Sequence, residues 1–357
     1  MHVNCIYHSH RDINFVMLTF TLLVVLFASP SWAALPQFSW DTLPVFFHSS
    51  NTTGQYNDDA LKTIAKFQMA TFDKGMGRSI KNIDDEDEMV LAMRAIKAAN
   101  PKIATYFYMN SYKDLPPMTR MARELSEHPN YYLRDSNGTR VKNVRGFYAF
   151  DLSNPEVRQW WLNICLNATK FANGDGCYCD SSQRENAKFY PEPPAKKLKS
   201  WGEGLLNLTR DVQEALGENK LLIGKYPGQP YVKAVQMEAF EPTNDSIVSL
   251  MLGASHGQVV QAHVPVTIDC SSDLTNYLAT FLIGAGQYFY FGCGNWSAAG
   301  NDTTPLTWLP EYDKPLGPPK STGVYNSQTG VWSRLFASGT EVLFDTKTNK
   351  GTIKWSQ

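Results

Sequence analysis

Positive charge is not in excess in this sequence of 357 residues. Its 33 Lys and Arg are offset by 34 Asp and Glu, which leaves a formal net charge of -1 at pH 7. A protein that binds nucleic acid through its phosphates carries a basic excess or patch, so we expect no nucleic-acid partner. Aromatic residues are plentiful instead, at 13%, and their rings can line a sugar-binding groove or fill a core.

Cysteine is scarce as well, with 6 residues in all. Cys177 and Cys179 have no second Cys or His pair at a matching spacing, which argues against a zinc site. No glycine-rich nucleotide motif follows the first predicted strand. We therefore predict neither a metal nor an organic cofactor.

Only one long hydrophobic run is present, FVMLTFTLLVVLFA at residues 15–28. It is shorter than the roughly 20 residues that a membrane-spanning helix needs. The small residues Ser31 and Ala33 behind it flank a Trp, as at a signal-peptidase site. We expect residues 1–33 to be a signal peptide and the protein to be secreted without a stable membrane anchor. The sequence does not indicate an oligomeric state.

Sites for N-linked glycosylation agree with a secretory route, since the sequence holds several N-x-S/T sequons without an intervening proline. These sequons begin at Asn51, Asn137, Asn167, Asn207, Asn244, Asn295 and Asn301. If Cys5 is removed with the leader, an odd number of cysteines remains. That number allows at most two disulfides and one free thiol in an oxidising compartment.

Short runs of β-branched and aromatic residues alternate with helical patterns along the chain. The predicted strands are Pro44–Ser49, Phe67–Asp73, Ile103–Asn110, Gly176–Ser181, Leu221–Tyr226, Ala234–Phe240, Val259–Val264 and Gln287–Gly292. Eight such units are the number found in a (β/α)8 TIM barrel, an α/β fold. A doubly wound open sheet is the alternative, but the nucleotide motif typical of that fold is missing.

Start and stop signals mark the helices between these strands. Asn154 and Pro155 open a helix that ends at Asn173, and the acidic residues 84–87 open another. Between the fifth and sixth strands only residues 227–233 remain. They are too few for a full helix, so we expect an irregular unit there.

Beyond the eighth strand the sequence becomes rich in Trp, Pro and Gly. It then ends in three alternating segments, VWSRLF, TEVLFD and GTIKW. We predict that the barrel spans residues 34–295. Residues 296–357 are expected to form a long active-site loop and a small antiparallel β region packed on the barrel.

The active sites of such barrels lie at the carboxyl ends of the strands. Polar residues end or nearly end most of the predicted strands: His48, Asp73, Asn110, Asp180, Lys225, Glu238 and His263. Each one alone is as readily explained as a residue that caps the following loop. The seven residues together therefore indicate an active site more strongly than any one of them does.

Asp180 is the clearest candidate, because it directly follows the apolar run of the fourth strand. Alternation along a strand places Asp180 and Tyr178 on one face and Cys177 and Cys179 on the other. If Asp180 faces the barrel mouth, the two cysteines face the helices. There Cys165 can pair with one of them.

Glu238 is the candidate partner on the sixth strand. Its neighbours Met237, Ala239 and Phe240 are apolar, and an apolar surround raises the pKa of a carboxyl group, as a general acid requires. Glu241 is the rival. It has the opposite parity on the strand and precedes a proline, which indicates that it already belongs to the loop.

Two carboxylates on nearby strands are the minimum machinery for hydrolysing a glycosidic bond. The segments FDLSNPEVRQWW, GDGCYCDSS, MEAF, WLPEYDKPLGPP and VWSRLFASGTEVLFD resemble the TIM-barrel glycoside hydrolases known mainly as hypothetical families. Their strand layout is similar to that of the alpha-galactosidase-like clan, in which acids after the fourth and sixth strands act as nucleophile and acid/base. The resemblance implies these roles for Asp180 and Glu238, and a retaining outcome.

The residues expected to bind sugar are an acid, two strand tyrosines, a histidine and two loop tryptophans: Asp73, Tyr106, Tyr178, His263, Trp296 and Trp308. Each has a structural alternative, because an acid can cap a loop, tyrosines can fill the barrel core and a histidine can be buried. Lys225 and Arg145 are compatible with an acidic sugar and equally with ordinary ion pairs.

The sequence thus predicts a secreted glycoside hydrolase whose partner is an oligosaccharide or polysaccharide substrate. One alternative is a barrel that binds carbohydrate without cleaving it. Another is a lyase that acts on uronic-acid chains, with Tyr or His in place of the carboxylate pair. An oligosaccharide that binds and survives intact would favour the first, and an unsaturated product would identify the second.

Overall fold

The computed structural model describes residues 35–183, 190, 193–298 and 306–356. The chain divides into a short unit, Met1–Trp32, and a larger one, Ala33–Gln357. The predicted signal peptide and the sequon at Asn301 lie outside the described residues. Within the described part of the chain, no helix is long and apolar enough to cross a membrane.

Eight parallel strands form the centre of the larger unit and follow one another in sheet order. They are β1 (Phe46–Ser49), β2 (Met69–Phe72), β3 (Ala104–Asn110), β4 (Gly176–Asp180), β5 (Leu221–Gly224), β6 (Ala234–Met237), β7 (Val259–His263) and β8 (Phe289–Gly292). A bridge between Val45 and Phe291 joins the first strand to the last, so the sheet closes into a barrel. The predicted (β/α)8 fold is confirmed, and every predicted strand is present in a slightly shorter form.

Helices follow most of the strands. They are α1 (Asp58–Ile64), α2 (Asp85–Ala99), α3 (Thr119–Glu127), α4 (Pro155–Ala172), α5 (Ala195–Leu216), α6 (Asn244–Ser255) and α7 (Thr275–Gly284). Asn154 caps α4 by accepting a hydrogen bond from the Glu156 amide, and Asn173 ends it in a left-handed conformation, as predicted. The segment between β5 and β6 is fully described and has no helix, which confirms the irregular unit.

The acidic start of α2 holds neighbouring segments in place. Asp85 is buried and accepts a hydrogen bond from the Gly75 amide at 3.0 Å, in the loop after β2. Glu86 is also buried and accepts from the amides of Arg120 and Met121, at 3.2 and 2.9 Å. These two carboxylates therefore tie the loop after β2 and the start of α3 to one helix.

The cysteines are distributed as the strand pattern predicted. Cys165 of α4 is bonded to Cys177 of β4, and Cys270 is bonded to Cys293 after β8. Cys179 is free and buried. The outer face of β4 is therefore covalently joined to the helix behind it, and each disulfide stabilises the fold by about 3 kcal/mol in the usual case.

Two close packing contacts set the position of β4 and of the end of β3. Gly176 has a φ of 143°, and a Cβ there would lie 1.9 Å from the carbonyl oxygen of Leu221 on β5. Only glycine permits this approach. On the other side, the indole N–H of Trp161 in α4 donates to the carbonyl of Asn110 at 2.9 Å. Contacts to the backbone of β4 and to the backbone at the end of β3 thus hold these two strands in place.

The chain ends in a four-stranded antiparallel sheet with strand order β12-β11-β10-β9. The strands are β9 (Val324–Asn326), β10 (Val331–Leu335), β11 (Glu341–Asp345) and β12 (Lys350–Lys354). This sheet lies against α7. Arg334 is buried there and donates to the carbonyls of Leu282 at 2.8 Å and Ala285 at 2.6 Å. One guanidinium therefore caps the end of α7 and anchors the predicted β region.

The replacement Asp85→Asn should change how stability depends on pH. Burial, with the nearby charge of Glu86, raises the pKa of Asp85 to about 7 in the folded protein. Because this pKa is raised, the contribution of Asp85 to the free energy of unfolding is fully present below its unfolded pKa of about 3.9. That contribution is lost as the pH rises through 7. The amide does not titrate, so the variant should be the more stable protein at pH 8.

Denaturant unfolding between pH 4 and pH 8 measures this difference. Asp87→Asn, which changes an exposed carboxylate in the same helical turn, is the matched control and should leave the pH slope as in the wild type. Equal slopes for Asp85→Asn and the wild type would contradict the assignment to Asp85.

Candidate active site

The carboxyl ends of β3 and β4 lie side by side and bring three polar side chains together. The parallel register pairs Asn110 with Asp180 and Tyr108 with Tyr178. Oδ2 of Asp180 accepts hydrogen bonds from the Tyr108 hydroxyl at 2.7 Å and from the Asn110 amide at 2.9 Å. These two donors orient the carboxylate and leave Oδ1 for other contacts.

The ammonium group of Lys225, the residue that follows β5, lies between two acids. Its Nζ is 3.3 Å from Oδ1 of Asp180 and also contacts Oε1 of Glu238. Burial by itself would raise the pKa of Asp180. The charges of Lys225 and Lys74 and the hydrogen bond from Tyr108 outweigh burial and hold that pKa well below its usual range. Asp180 is therefore ionised at neutral pH.

The irregular segment between β5 and β6 fixes the backbone of Lys225. Oε1 of Gln229 accepts hydrogen bonds from the Lys225 amide at 2.7 Å and from the Ser182 hydroxyl at 3.1 Å. The amide nitrogen of Gln229 donates to the Ser182 carbonyl at 3.3 Å. One buried side chain thus ties the end of β5 to the segment just after Asp180.

Glu238 stands in the turn directly after β6, and its side chain is 38% exposed, against 19% for Asp180. Its Oε1 accepts a hydrogen bond from the Tyr178 hydroxyl at 2.7 Å, and that hydroxyl accepts one from Lys225 at 2.9 Å. The apolar surround expected from the sequence is therefore not what the carboxylate meets. The carboxylate of Glu238 contacts polar groups from β4 and from the end of β5. Its apolar neighbours in the chain do not surround it.

The shared contact with Lys225 limits how far apart the two acids lie. Two atoms that touch the same nitrogen are separated by no more than the sum of the two contact distances. Oδ1 of Asp180 and Oε1 of Glu238 therefore lie within roughly 6 Å of each other. At such a separation both carboxylates can reach one bond of a bound molecule.

Each of these acids precedes a residue in the left-handed backbone region. Ser181 has a φ of 59° and Ala239 a φ of 50°. Such a conformation costs roughly 1 kcal/mol or more for a residue with a Cβ, and it recurs at functional sites. The chain therefore turns sharply just after Asp180 and just after Glu238, which leaves both carboxylates at the rim of the barrel.

Asp73 directly follows β2 at the same rim and is buried. Nζ of Lys74 is 3.1 Å from its Oδ1, and Nε2 of His48 is 3.6 Å from its Oδ2. Burial raises the pKa of Asp73, but the charge of Lys74 and the contact with His48 outweigh it, so the pKa lies below its ordinary value. Lys74 also lies 4.3 Å from the ring centre of Tyr108, and so connects Asp73 with the donor to Asp180.

Trp296 covers two histidines at the rim. Its ring centre is 4.0 Å from that of His263 and 4.7 Å from that of His48. The Ser50 amide donates to the Trp296 carbonyl at 3.0 Å, which holds this loop against the end of β1. Burial, together with the charge of His48, lowers the pKa of His263 to about 3. His263 is therefore a neutral support beneath Trp296.

Other residues predicted to bind sugar do not present a ring at this rim. Tyr106 is fully buried inside the barrel, below Tyr108 on β3, and fills the core. Trp308 packs on Phe67, which precedes β2, and so lies toward the amino end of the barrel. Tyr178 is at the rim, but its ring is fully buried, and it contributes its hydroxyl group instead of a stacking surface.

The rival acid Glu241 is exposed in the loop, as the sequence indicated. Its carboxylate accepts a hydrogen bond from Tyr277 of α7 at 3.3 Å. From the sequence, Lys225 is named only as a strand-end residue and a candidate for an acidic sugar or an ion pair, and Lys74 is not named. A signal was present for both, since Lys225 follows an apolar strand and Lys74 follows Asp73 directly. Among the described residues, no group of three or more His, Cys, Asp or Glu is arranged to hold a metal ion.

The closed barrel of eight parallel strands with acids at the ends of β4 and β6 is a TIM barrel whose layout is compatible with a glycoside hydrolase. The model of the family described as hypothetical glycosyl hydrolase family 15 matches residues 97–340. This match covers more than half of the chain, and the chain belongs to that family. The matched region includes Asp180, Lys225 and Glu238.

Solved structures share the fold at low sequence identity. A noncanonic maltogenic alpha-amylase, AmyB from Thermotoga neapolitana, has a TM-score of 0.53 at 11% identity, over 85% of this chain and 86% of that chain. The alpha-galactosidase from Lactobacillus brevis has a TM-score of 0.51 at 14% identity, over 86% and 46%. The galactosidase domain of the alpha-galactosidase-sucrose kinase AgaSK has a TM-score of 0.53 at 12% identity, over 87% and 47%.

The chain thus spans less than half the length of those two galactosidase chains. At these identities the likeness is one of fold alone. A search of curated protein sequences returned no match.

The replacement Lys225→Met should destabilise the protein in a pH-dependent way. We expect the free energy of unfolding to fall by about 3 kcal/mol at pH 7, because the buried cation between two carboxylates is lost. The depressed pKa of Asp180 contributes stability above the unfolded value of about 3.9, and this is lost as the pH falls through the folded pKa. The deficit of the variant should therefore shrink below about pH 4.

Chemical denaturation at several pH values between 2 and 7 tests this expectation. Lys62→Met is the matched control. Lys62 pairs with Asp59 at the surface, where the side chains are 76% and 91% exposed, and little change is expected. A deficit of the same size at pH 2 and pH 7 would mean that Lys225 acts through the packing of its aliphatic stem and not through its charge.

Proposed function

We propose that the protein hydrolyses an O-glycosidic bond of an oligosaccharide or polysaccharide, with Asp180 as nucleophile and Glu238 as acid/base. One observation carries this proposal: both carboxylates contact the ammonium of Lys225. Their limit of separation is compatible with the carboxylate spacing of retaining glycosidases, about 5–5.5 Å. Membership of a glycosyl hydrolase family supports the hydrolysis of glycans in general.

In the first step, protonated Glu238 gives its proton to the glycosidic oxygen while Asp180 attacks the anomeric carbon. The bond between that carbon and the leaving oxygen breaks, and an ester bond between Asp180 and the sugar forms. Asp180 suits this role because it is ionised and because Tyr108 and Asn110 hold its carboxylate before a substrate arrives.

In the second step, Glu238 takes a proton from water, and the water oxygen attacks the anomeric carbon and breaks the ester bond. The exposed side chain of Glu238 gives water access to this position. Asp180 leaves as a carboxylate, and the charge of Lys225 stabilises it. Each step inverts the anomeric centre, so the product retains the configuration of the substrate.

The lyase alternative, which needs a Tyr or His as base, has less support from the two such residues expected to bind sugar, Tyr178 and His263. Burial raises the pKa of Tyr178 well above its ordinary value, and the charge of Glu238 adds to the effect. His263 is buried, and its Nδ1 lies 2.6 Å from the Val264 carbonyl. Tyr178 therefore holds its proton and His263 is engaged by the backbone, which favours hydrolysis by the two acids.

The replacements Asp180→Asn and Glu238→Gln should each abolish most of the activity. We expect kcat/KM on a cleaved glycan to fall by about 10²-fold to 10⁴-fold or more, since each variant loses nucleophilic or acid/base help to the transition state. Release of reducing ends from a panel of oligosaccharides measures this loss. Wild-type rates in both variants would contradict the assignment of Asp180 as nucleophile and Glu238 as acid/base.

Glu241→Gln is the matched control, because it makes the same change on an exposed acid three residues beyond Glu238. It should cleave like the wild type. Proton NMR of the first product formed gives the stereochemistry, and the anomer of the substrate is expected. Product of the opposite configuration would assign Glu238 or Asp180 to the activation of water in a single step.

We further propose that the protein is made in the secretory pathway and carries N-linked glycans. Two disulfides among the described residues agree with an oxidising compartment. The sequons differ in their surroundings. Asn137 is exposed in a turn, whereas Oδ1 of Asn244 accepts a hydrogen bond from the indole of Trp332 at 2.9 Å, at the start of α6.

Mass spectrometry of glycopeptides from protein secreted by eukaryotic cells should therefore find Asn137 largely occupied and Asn244 largely bare. The reason is that the acceptor amide of Asn137 is accessible, while that of Asn244 is packed against β10. High occupancy at Asn244 together with an empty Asn137 would contradict this expectation.

A further inference from the structure

Lys113 is a positive side chain at the rim that pairs with no carboxylate in the part of the chain that the structure describes. It lies just after β3, is half-buried, and donates a hydrogen bond from Nζ to the Ser181 hydroxyl at 2.9 Å, next to Asp180. Lys74 and Lys225, by contrast, each lie against a carboxylate. Among the described residues, which leave out 184–189, 191–192 and 299–305, no Asp or Glu forms an ion pair with Lys113.

The surroundings of Lys113 disfavour the charged form of its side chain. Burial lowers the pKa of the ammonium, and the positive charges of Arg145 and Lys225 lower it further, while Asp180 and Glu238 act in the opposite direction. The net effect is a lowered pKa. A half-buried cation of this kind gains most from an additional anion that displaces water from it.

Arg145 lies at the tip of a tight turn, and its positive charge acts on Lys113. Oδ1 of Asn143 accepts hydrogen bonds from the amides of Arg145 at 3.0 Å and Phe147 at 3.1 Å, and so shapes the turn. A bridge between Lys113 and Ala149 holds the returning strand of this turn alongside Lys113. The Arg145 side chain is exposed, and none of the carboxylates that the structure describes pairs with it.

We propose that Lys113 and Arg145 form a subsite for a negatively charged substituent, a carboxylate or a sulfate ester, on a sugar next to the bond that is cleaved. This inference rests on the proposed function and narrows its substrate class to anionic polysaccharides. A guanidinium and an ammonium are the groups with which proteins bind such anions. The contact between Lys113 and Ser181 places the charge beside Asp180, so the anion belongs to a sugar bound at the acids.

Binding to the Asp180→Asn variant tests the subsite without turnover. Titration calorimetry would use three oligosaccharides of equal length: one of uronic acids, one neutral and one neutral with sulfate esters. At low salt we expect at least one charged oligosaccharide to bind about tenfold tighter than the neutral one, with a preference that weakens as salt is added. The tighter charged ligand identifies the anion, and equal affinity means that either serves.

Further variants on the Asp180→Asn background show which side chains cause the preference for a charged oligosaccharide. Lys113→Gln and Arg145→Gln should each remove most of it, and Lys113→Arg should keep it. Lys142→Gln is the matched control, since it removes the same charge from the same segment. The Lys142 ammonium lies 4.4 Å from the ring centre of Tyr148, and this variant should bind like its parent.

The subsite is refuted if the neutral oligosaccharide binds as tightly as both charged ones, or if the preference survives both Lys113→Gln and Arg145→Gln. These outcomes would leave the proposed hydrolysis intact, provided that the wild type still cleaves a glycan. Selective binding of a charged oligosaccharide that the wild type never cleaves would have the opposite meaning. It would support the subsite and overturn the proposed hydrolysis.

Discussion

The ammonium of Lys225 lies where two carboxylates converge, and the candidate site depends on that contact. Two carboxylates held within roughly 6 Å of each other in partly buried surroundings repel strongly, which favours a proton on one of them. Lys225 offsets this repulsion and keeps Asp180 ionised. Tyr178 adds a hydroxyl that bonds to both Lys225 and Glu238. The cation and the phenol together define the space between the acids.

The barrel delivers these groups because successive parallel strands end at one rim, about 4.8 Å apart. Asp180 ends β4, Lys225 follows β5 and Glu238 follows β6. The unit between β5 and β6 lacks its helix, and Gln229 ties the backbone of Lys225 to the segment after Asp180 in its place. The least regular part of the barrel therefore holds the central cation.

Much of the fold followed from local patterns in the sequence. Alternation along β4 placed Asp180 and Cys177 on opposite faces, and the disulfide from Cys177 to Cys165 of α4 shows that the cysteine faces the helices. The late loop was less predictable. Trp296 covers the rim, while Trp308 packs near the amino end of the barrel, although both belong to one aromatic-rich segment. Composition indicates that such rings are present, but it does not say against which surface each one packs.

By itself the sequence determined the eight strands, the irregular unit and the opposite faces of β4 on which Asp180 and the cysteines lie, because these depend on short-range periodicity and turn residues. The tertiary structure alone decided the surroundings of Glu238. Apolar neighbours in the chain indicated an apolar site, yet its partners are Tyr178, which is 60 residues away, and Lys225. Charges and hydrogen bonds act through space, and the distance across a barrel rim is set only when the strands close.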